Sequence, residues 1–225
     1  MRTDPIILTG CARSGTSLSA GIIHRHGIFG GNVLGATPHN QRGQYENRDI
    51  VNHVIKPRLR DLNCDPMGQF PLPTDSQDEP NARFGPDVVS ILRKQGLKKQ
   101  RWYFKGAKCC LIWRSWHHAF PNAQWIIVRR EPREIADSCL RTTFMRAYND
   151  TGGWLSWVKE HEHKFDAMKH AGLNLFEFWP GRLFNHDLNH AEDMMEWLGY
   201  NFQRQKVTDF LAPNLWSGQG GTKNN

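Results

Sequence analysis

The 225 residues carry 29 Lys and Arg against 22 Asp and Glu, a net charge of +7 that suits an anionic ligand. The basic residues are spread along the chain, with no arginine-rich tract and no helix-turn-helix or zinc-finger pattern, so no nucleic-acid partner is expected. The five cysteines form no regular framework and no apolar run reaches secretory or membrane-spanning length; a cytoplasmic setting with reduced thiols and no membrane partner is expected.

The first predicted element is a strand at 5–9, Pro-Ile-Ile-Leu-Thr, and a helix follows over 16–26. Between them lies Gly10-Cys11-Ala12-Arg13-Ser14-Gly15-Thr16-Ser17. A strand, a glycine loop and a helix start together make a phosphate cradle, because backbone N–H groups converge in the loop and the helix N-terminus adds positive potential. The Gly-x4-Gly spacing matches a nucleotide-binding P-loop, but Thr16 stands where an ATP- or GTP-binding loop carries Lys. Arg13 supplies a cation instead.

A Gly-rich connection follows, then a helix over 47–61 with Ile50, Val54 and Ile55 on one face. Residues 64–84, with Pro66, Pro71, Pro73 and Pro80, read as a long irregular loop. A helix near 86–95 precedes a strand at 101–105, and another helix covers about 109–119. Gln124 to Val128 is a buried strand, and Pro132 suits the first turn of the helix after it. That strand ends in Arg129-Arg130, where a Mg²⁺-dependent NTPase often places an Asp; a cation there repels metal and attracts phosphate. A helix near 153–170, a strand at 173–179 and a helix at about 188–198 ending at Gly199 complete the layout. Strands alternating with helices predict a P-loop-like, three-layer α/β domain over 1–225, with a mostly parallel sheet, helices on both faces and a flexible tail at about 217–225. Ligands in such sheets sit at the C-terminal ends of the strands, where both cationic segments fall.

With both segments in view, the chain resembles the sulfotransferase family, and bacterial-type compact members in particular. Arg13 to Ser17 look like that family's 5′-phosphosulfate loop. Arg130, Pro132 and Ser138, the serine eight residues after Arg130, look like its 3′-phosphate motif. The resemblance implies 3′-phosphoadenosine 5′-phosphosulfate (PAPS) as donor, PAP as product and no metal. It assigns Gly10 through Ser17, Arg130 and Ser138 to donor binding. Arg13 and Lys105 would stabilise the leaving phosphate, Lys105 because Tyr103-Phe104-Lys105-Gly106 resembles the family's Lys-containing strand end.

The base is the open question. Many cytosolic members carry a His two residues after that Lys, and here the position is Ala107. Gly43-Gln44-Tyr45-Glu46-Asn47 resembles a bacterial-type segment whose Glu is a proposed base, so Glu46 comes first and His39, in the preceding loop, second. The expected acceptor is a hydroxyl on a small molecule or carbohydrate; oligomeric state is not legible. A P-loop small-molecule kinase and a catalytically inactive PAP-binding module are the alternatives.

Other features read as structural. His186 and His190 have helical spacing but lack the Glu of a zinc-protease helix. His117, His118, His161 and His163 are expected on the surface. Cys11 is a candidate reactive thiol without an obvious partner base. Among nine tryptophans, Trp113, Trp116, Trp154 and Trp157 are candidates for stacking on an acceptor, with core packing the stronger expectation for Trp113, Trp116 and Trp197.

Overall fold

A computed structural model describes residues 3–37, 40–185 and 187–216. Its centre is a four-stranded, fully parallel sheet of order β2-β1-β3-β4. The strands are β1 (Ile6–Gly10), β2 (Tyr103–Lys105), β3 (Gln124–Val128) and β4 (Leu175–Phe178). Every residue of β1, β2 and β3 is buried, as expected for parallel strands covered on both faces.

The period-two alternation of side chains divides the core into two layers. Ile7, Trp125 and Ile127 face one hydrophobic cluster, built with α4 (Phe84–Lys94), α5 (Trp113–Ala119), α6 (Pro132–Leu140) and α7 (Thr151–His170). Ile6, Leu8, Ile126 and Val128 face the other, built with α1 (Thr16–Arg25), α8 (Asn189–Trp197) and α9 (Arg204–Phe210). The predicted three-layer α/β architecture is therefore the observed one. Among the described residues no helix is long and apolar enough to cross a membrane.

The differences from expectation are local. The helix predicted over 47–61 is divided: α2 (Arg48–Ile50), a π-helical turn at Val51–Ile55, then α3 (Lys56–Asp61). Such insertions recur at functional sites. The helix expected from 109 begins as a 3₁₀ segment, Ala107–Ile112, before α5. Helix α9 lies outside the predicted elements; its short Arg204–Phe210 sequence is exposed apart from Val207 and Phe210, too few for a periodic signal. Tertiary packing makes it, since Phe210 lies against Gly21 of α1 so closely that no side chain fits there. The tail at 217–225 and His186 lie outside the described residues.

The chain goes from β1 outward to β2, then returns to the other side of β1 for β3 and β4. The direction of winding thus reverses between β1 and β3, and crevices in open α/β sheets form at such switch points. The pairings Leu8↔Lys105 and Gly10↔Val128 bring the ends of β2, β1 and β3 side by side. Lys105, the glycine loop and Arg130 consequently meet at one edge of the molecule.

Candidate functional site

The loop after β1 works only with its glycines. A Cβ on Gly10 would lie 2.5 Å from the Val128 carbonyl oxygen, so β3 can approach β1 to its last residue only if Gly10 has none. Gly15 opens α1 at φ 97°, a left-handed conformation, and no side chain caps the helix. Its first-turn N–H groups therefore stay available to a ligand. The first turn of α1 contains no acidic residue that would compete.

Arg13 adopts φ 72°, which costs a non-glycine residue on the order of 1–3 kcal/mol and persists only when its surroundings enforce it. They do so from the second predicted segment. Arg130 Nη1 donates to the Arg13 carbonyl at 2.8 Å, and Arg13 Nε donates to Ser138 Oγ at 3.1 Å. The two segments, remote in sequence, are one hydrogen-bonded unit. Burial, with Arg130 and Arg141 nearby, lowers the pKa of the Arg13 guanidinium against a weaker opposing effect of Cys139. Such crowding of cations favours an anionic ligand.

The two arginines that follow β3 face different ways. Arg129 is taken up structurally, with Nη2 2.5 Å from Glu162 and Nη1 3.0 Å from Glu177. Arg130 turns to the loop, paired through Nε with Glu134 at 2.9 Å and lying 4.5 Å from the Trp216 ring centroid. Trp216 also closes over Gly15, where a Cβ would come within 2.9 Å of its ring.

Lys105 is buried at the end of β2, with Nζ 3.6 Å from Glu46 Oε1. Glu46 is held by the residue after it: Asn47 caps α2, accepting from the Ile50 N–H at 3.3 Å and donating to the Gly30 carbonyl at 3.0 Å. Burial alone would raise the Glu46 carboxyl, but Lys105, Lys108 and Lys56 outweigh it and hold the pKa below its usual value. Glu46 is therefore a carboxylate at neutral pH.

Arg13, Glu46, Lys105 and Arg130 line one cavity of about 760 Å³. Its far wall comes from segments without a sequence motif: Met67, Gly68 and Gln69 from the long loop, Phe144 and Met145 after α6, and Trp157 and His161 from α7. Gln69 binds these together, donating to the Phe144 carbonyl at 2.8 Å and accepting from Arg146 N at 2.7 Å.

Several expectations are corrected. His161 is buried rather than on the surface; it contacts the Trp157 carbonyl through Nδ1 at 2.9 Å, and burial pushes its pKa down to about 4. Trp154 is fully buried in the core and unavailable for stacking, whereas Trp157 reaches the cavity wall and donates to the Gly68 carbonyl at 3.1 Å. Trp113 and Trp116 are core residues. Cys11 is buried, and burial raises its thiol well above the ordinary value, so it is not a reactive nucleophile; only its main chain shapes the loop. His190 accepts from Trp179 N at 3.0 Å, and the described residues contain no cluster that could hold a metal. His39 lies outside the described residues.

The model of a sulfotransferase domain matches residues 104–211, which include Lys105, Arg130 and Ser138. Over those residues the chain is similar to the sulfotransferase domain family. The chain shares its fold with the sulfotransferase domain of the Synechococcus PCC 7002 olefin synthase: TM-score 0.57 and 17% identity over 97% of this chain and 78% of that one. The sulfotransferase domain of the curacin biosynthetic pathway gives 0.56 and 13%, over 100% of this chain and 81% of that one. The sulfotransferase STF1 of Mycobacterium tuberculosis gives 0.53 and 12%, over 92% and 71%. No curated protein matches the chain in sequence.

Proposed function

We propose that this protein transfers a sulfuryl group from PAPS to an acceptor hydroxyl on a small molecule or carbohydrate. The observation that carries the reading is the bonded unit of Arg13, Arg130 and Ser138 beside the Lys105–Glu46 pair in a single cavity. The residues fit the donor. The loop offers main-chain N–H groups and a helix start, and the buried Ser14 Oγ has no hydrogen-bond partner. Arg130 stands where a Mg²⁺ site would need a carboxylate, which favours a phosphate held by cations without metal.

Residues 13–17 would hold the 5′-phosphosulfate, with Gly10, Cys11 and Ala12 shaping the approach, and Arg130 and Ser138 would hold the 3′-phosphate. The donor supplies an activated sulfuryl group whose leaving group is a phosphate. Arg13 and Lys105 neutralise the charge that grows on that phosphate. Glu46 accepts the acceptor's hydroxyl proton as the new S–O bond forms and the bond to the phosphate oxygen breaks; a positioned base contributes on the order of a hundredfold to ten-thousandfold. The second candidate base is His39. A cytoplasmic, reducing setting suits the five cysteines, all free and buried.

The test is transfer of radiolabelled sulfuryl from PAPS to a panel of hydroxylated acceptors with a chelator present. Label in product supports the reading. Tight PAP binding without transfer to any acceptor would make the chain a PAP-binding module instead.

A further inference from the structure

Arg42, Arg48, Lys56 and Lys108 also line the cavity. Among the described residues, no carboxylate comes within ion-pair distance of any of them. Glu46 is the sole carboxylate of the described cavity lining, and Lys105 already pairs with it. The described cavity lining thus carries seven cations, Arg13, Arg42, Arg48, Lys56, Lys105, Lys108 and Arg130, against one carboxylate.

The donor site proposed above uses Arg13, Arg130 and Lys105, which leaves these four. Lys108 lies on the acceptor side, because its stem packs against the long loop: a Cβ on Gly68 would be 2.9 Å from Lys108 Cγ. Arg48 is the first residue of α2 and is exposed to solvent at the cavity. Lys56 Nζ contacts the neutral Asn52 Oδ1 at 3.1 Å. Lys108 and Lys56 share the one Glu46 carboxylate with Lys105, and the excess of positive charge that remains raises the local concentration of anions. Beside them the wall is apolar, with Met67, Leu111, Phe144 and Met145.

We propose, resting on the donor reading above, that the acceptor is itself an anion: a hydroxylated organic compound whose apolar body lies against Met67, Leu111 and Phe144 and whose anionic group is met by Lys108 and Arg48. The cations recognise charge, so a carboxylate and a phosphonate both satisfy them.

The experiment is calorimetric titration of the protein saturated with PAP, which keeps the probes off the donor site. The probes are 4-hydroxyphenylacetate, (4-hydroxyphenyl)methylphosphonate, the neutral 4-hydroxyphenylacetamide and the cationic tyramine. The expected result is at least tenfold tighter binding of the anions than of the amide, and no measurable tyramine binding. Comparison of the two anions distinguishes a carboxylate from a phosphonate acceptor. In Lys108→Gln and Arg48→Gln the preference for the anions falls below threefold, PAP affinity stays as in wild type, and Lys108→Arg keeps the preference. Equal binding of amide and anions, no binding of any probe, or a preference that survives both Gln substitutions overturns the proposal. Failure of PAP itself to bind is a separate result: it removes the donor reading, and this inference with it.

Discussion

The two ends of the cavity are built on different principles. The proposed donor end grows out of strand termini: Gly10 and Lys105 end buried strands, Arg130 follows one, and sheet register brings these termini side by side. The proposed acceptor end is assembled from loops, tied by Gln69 to residues after α6 and by the Gly68 carbonyl to Trp157. Glu46 stands between them, held by the Asn47 cap and paired with Lys105. On the proposed function, the reaction type resides in the sheet and the choice of acceptor in the loops.

Substitutions at the two ends and at the join separate them. The largest effect is expected from Glu46→Gln, which keeps shape but removes the base: turnover falls about a hundredfold or more while PAP affinity holds. Initial rates and calorimetry on the same preparation check this, and retained turnover would move the role to His39. Next is Arg130→Ala. It removes a charged partner of the donor together with the bond that holds the Arg13 carbonyl, so PAP affinity falls about tenfold to a hundredfold. Unchanged PAP affinity would remove Arg130 from the donor site. Gln69→Ala acts at the other end; it removes the bonds to the Phe144 carbonyl and from the Arg146 N–H and raises the acceptor KM severalfold, with PAP affinity unchanged. A parallel loss of PAP binding would contradict the separation of the two ends.

The smallest effect is a matter of pH. The base must be deprotonated to work, and the folded-state pKa of Glu46 is lowered, so the active form is complete above the ordinary Glu value and is lost only as pH falls through the lowered one. The acid limb of kcat/KM then lies below about 4.3, whereas a histidine base would place it near about 6.5. The pH–rate profile discriminates the two.

How much was legible in the sequence follows the same division. The parallel sheet, its strands and the glycine loop between β1 and α1 were readable because they are local: apolar β-branched runs and glycines at fixed offsets. Lys105 and Glu46 were readable as candidates through resemblance, but their 3.6 Å approach depends on β2 pairing with β1. His161 was misread because a lone histidine on a helix gives no sign of its burial, which α7 acquires only by packing on the 3₁₀ segment and α6. Trp216 over Arg130, and Met67 and Phe144 in the cavity lining, had no local signal at all. Their positions come from where loops end after the sheet has formed.

The central claim is that the strand-end site takes a 3′-phosphorylated nucleotide held by cations. Titration of the metal-free protein with PAP, with ATP plus Mg²⁺ as the comparison, tests it most directly. Micromolar PAP binding with much weaker Mg-ATP binding is the predicted result. Absence of PAP binding, or preference for Mg-ATP, would contradict the account and return the loop to a P-loop kinase.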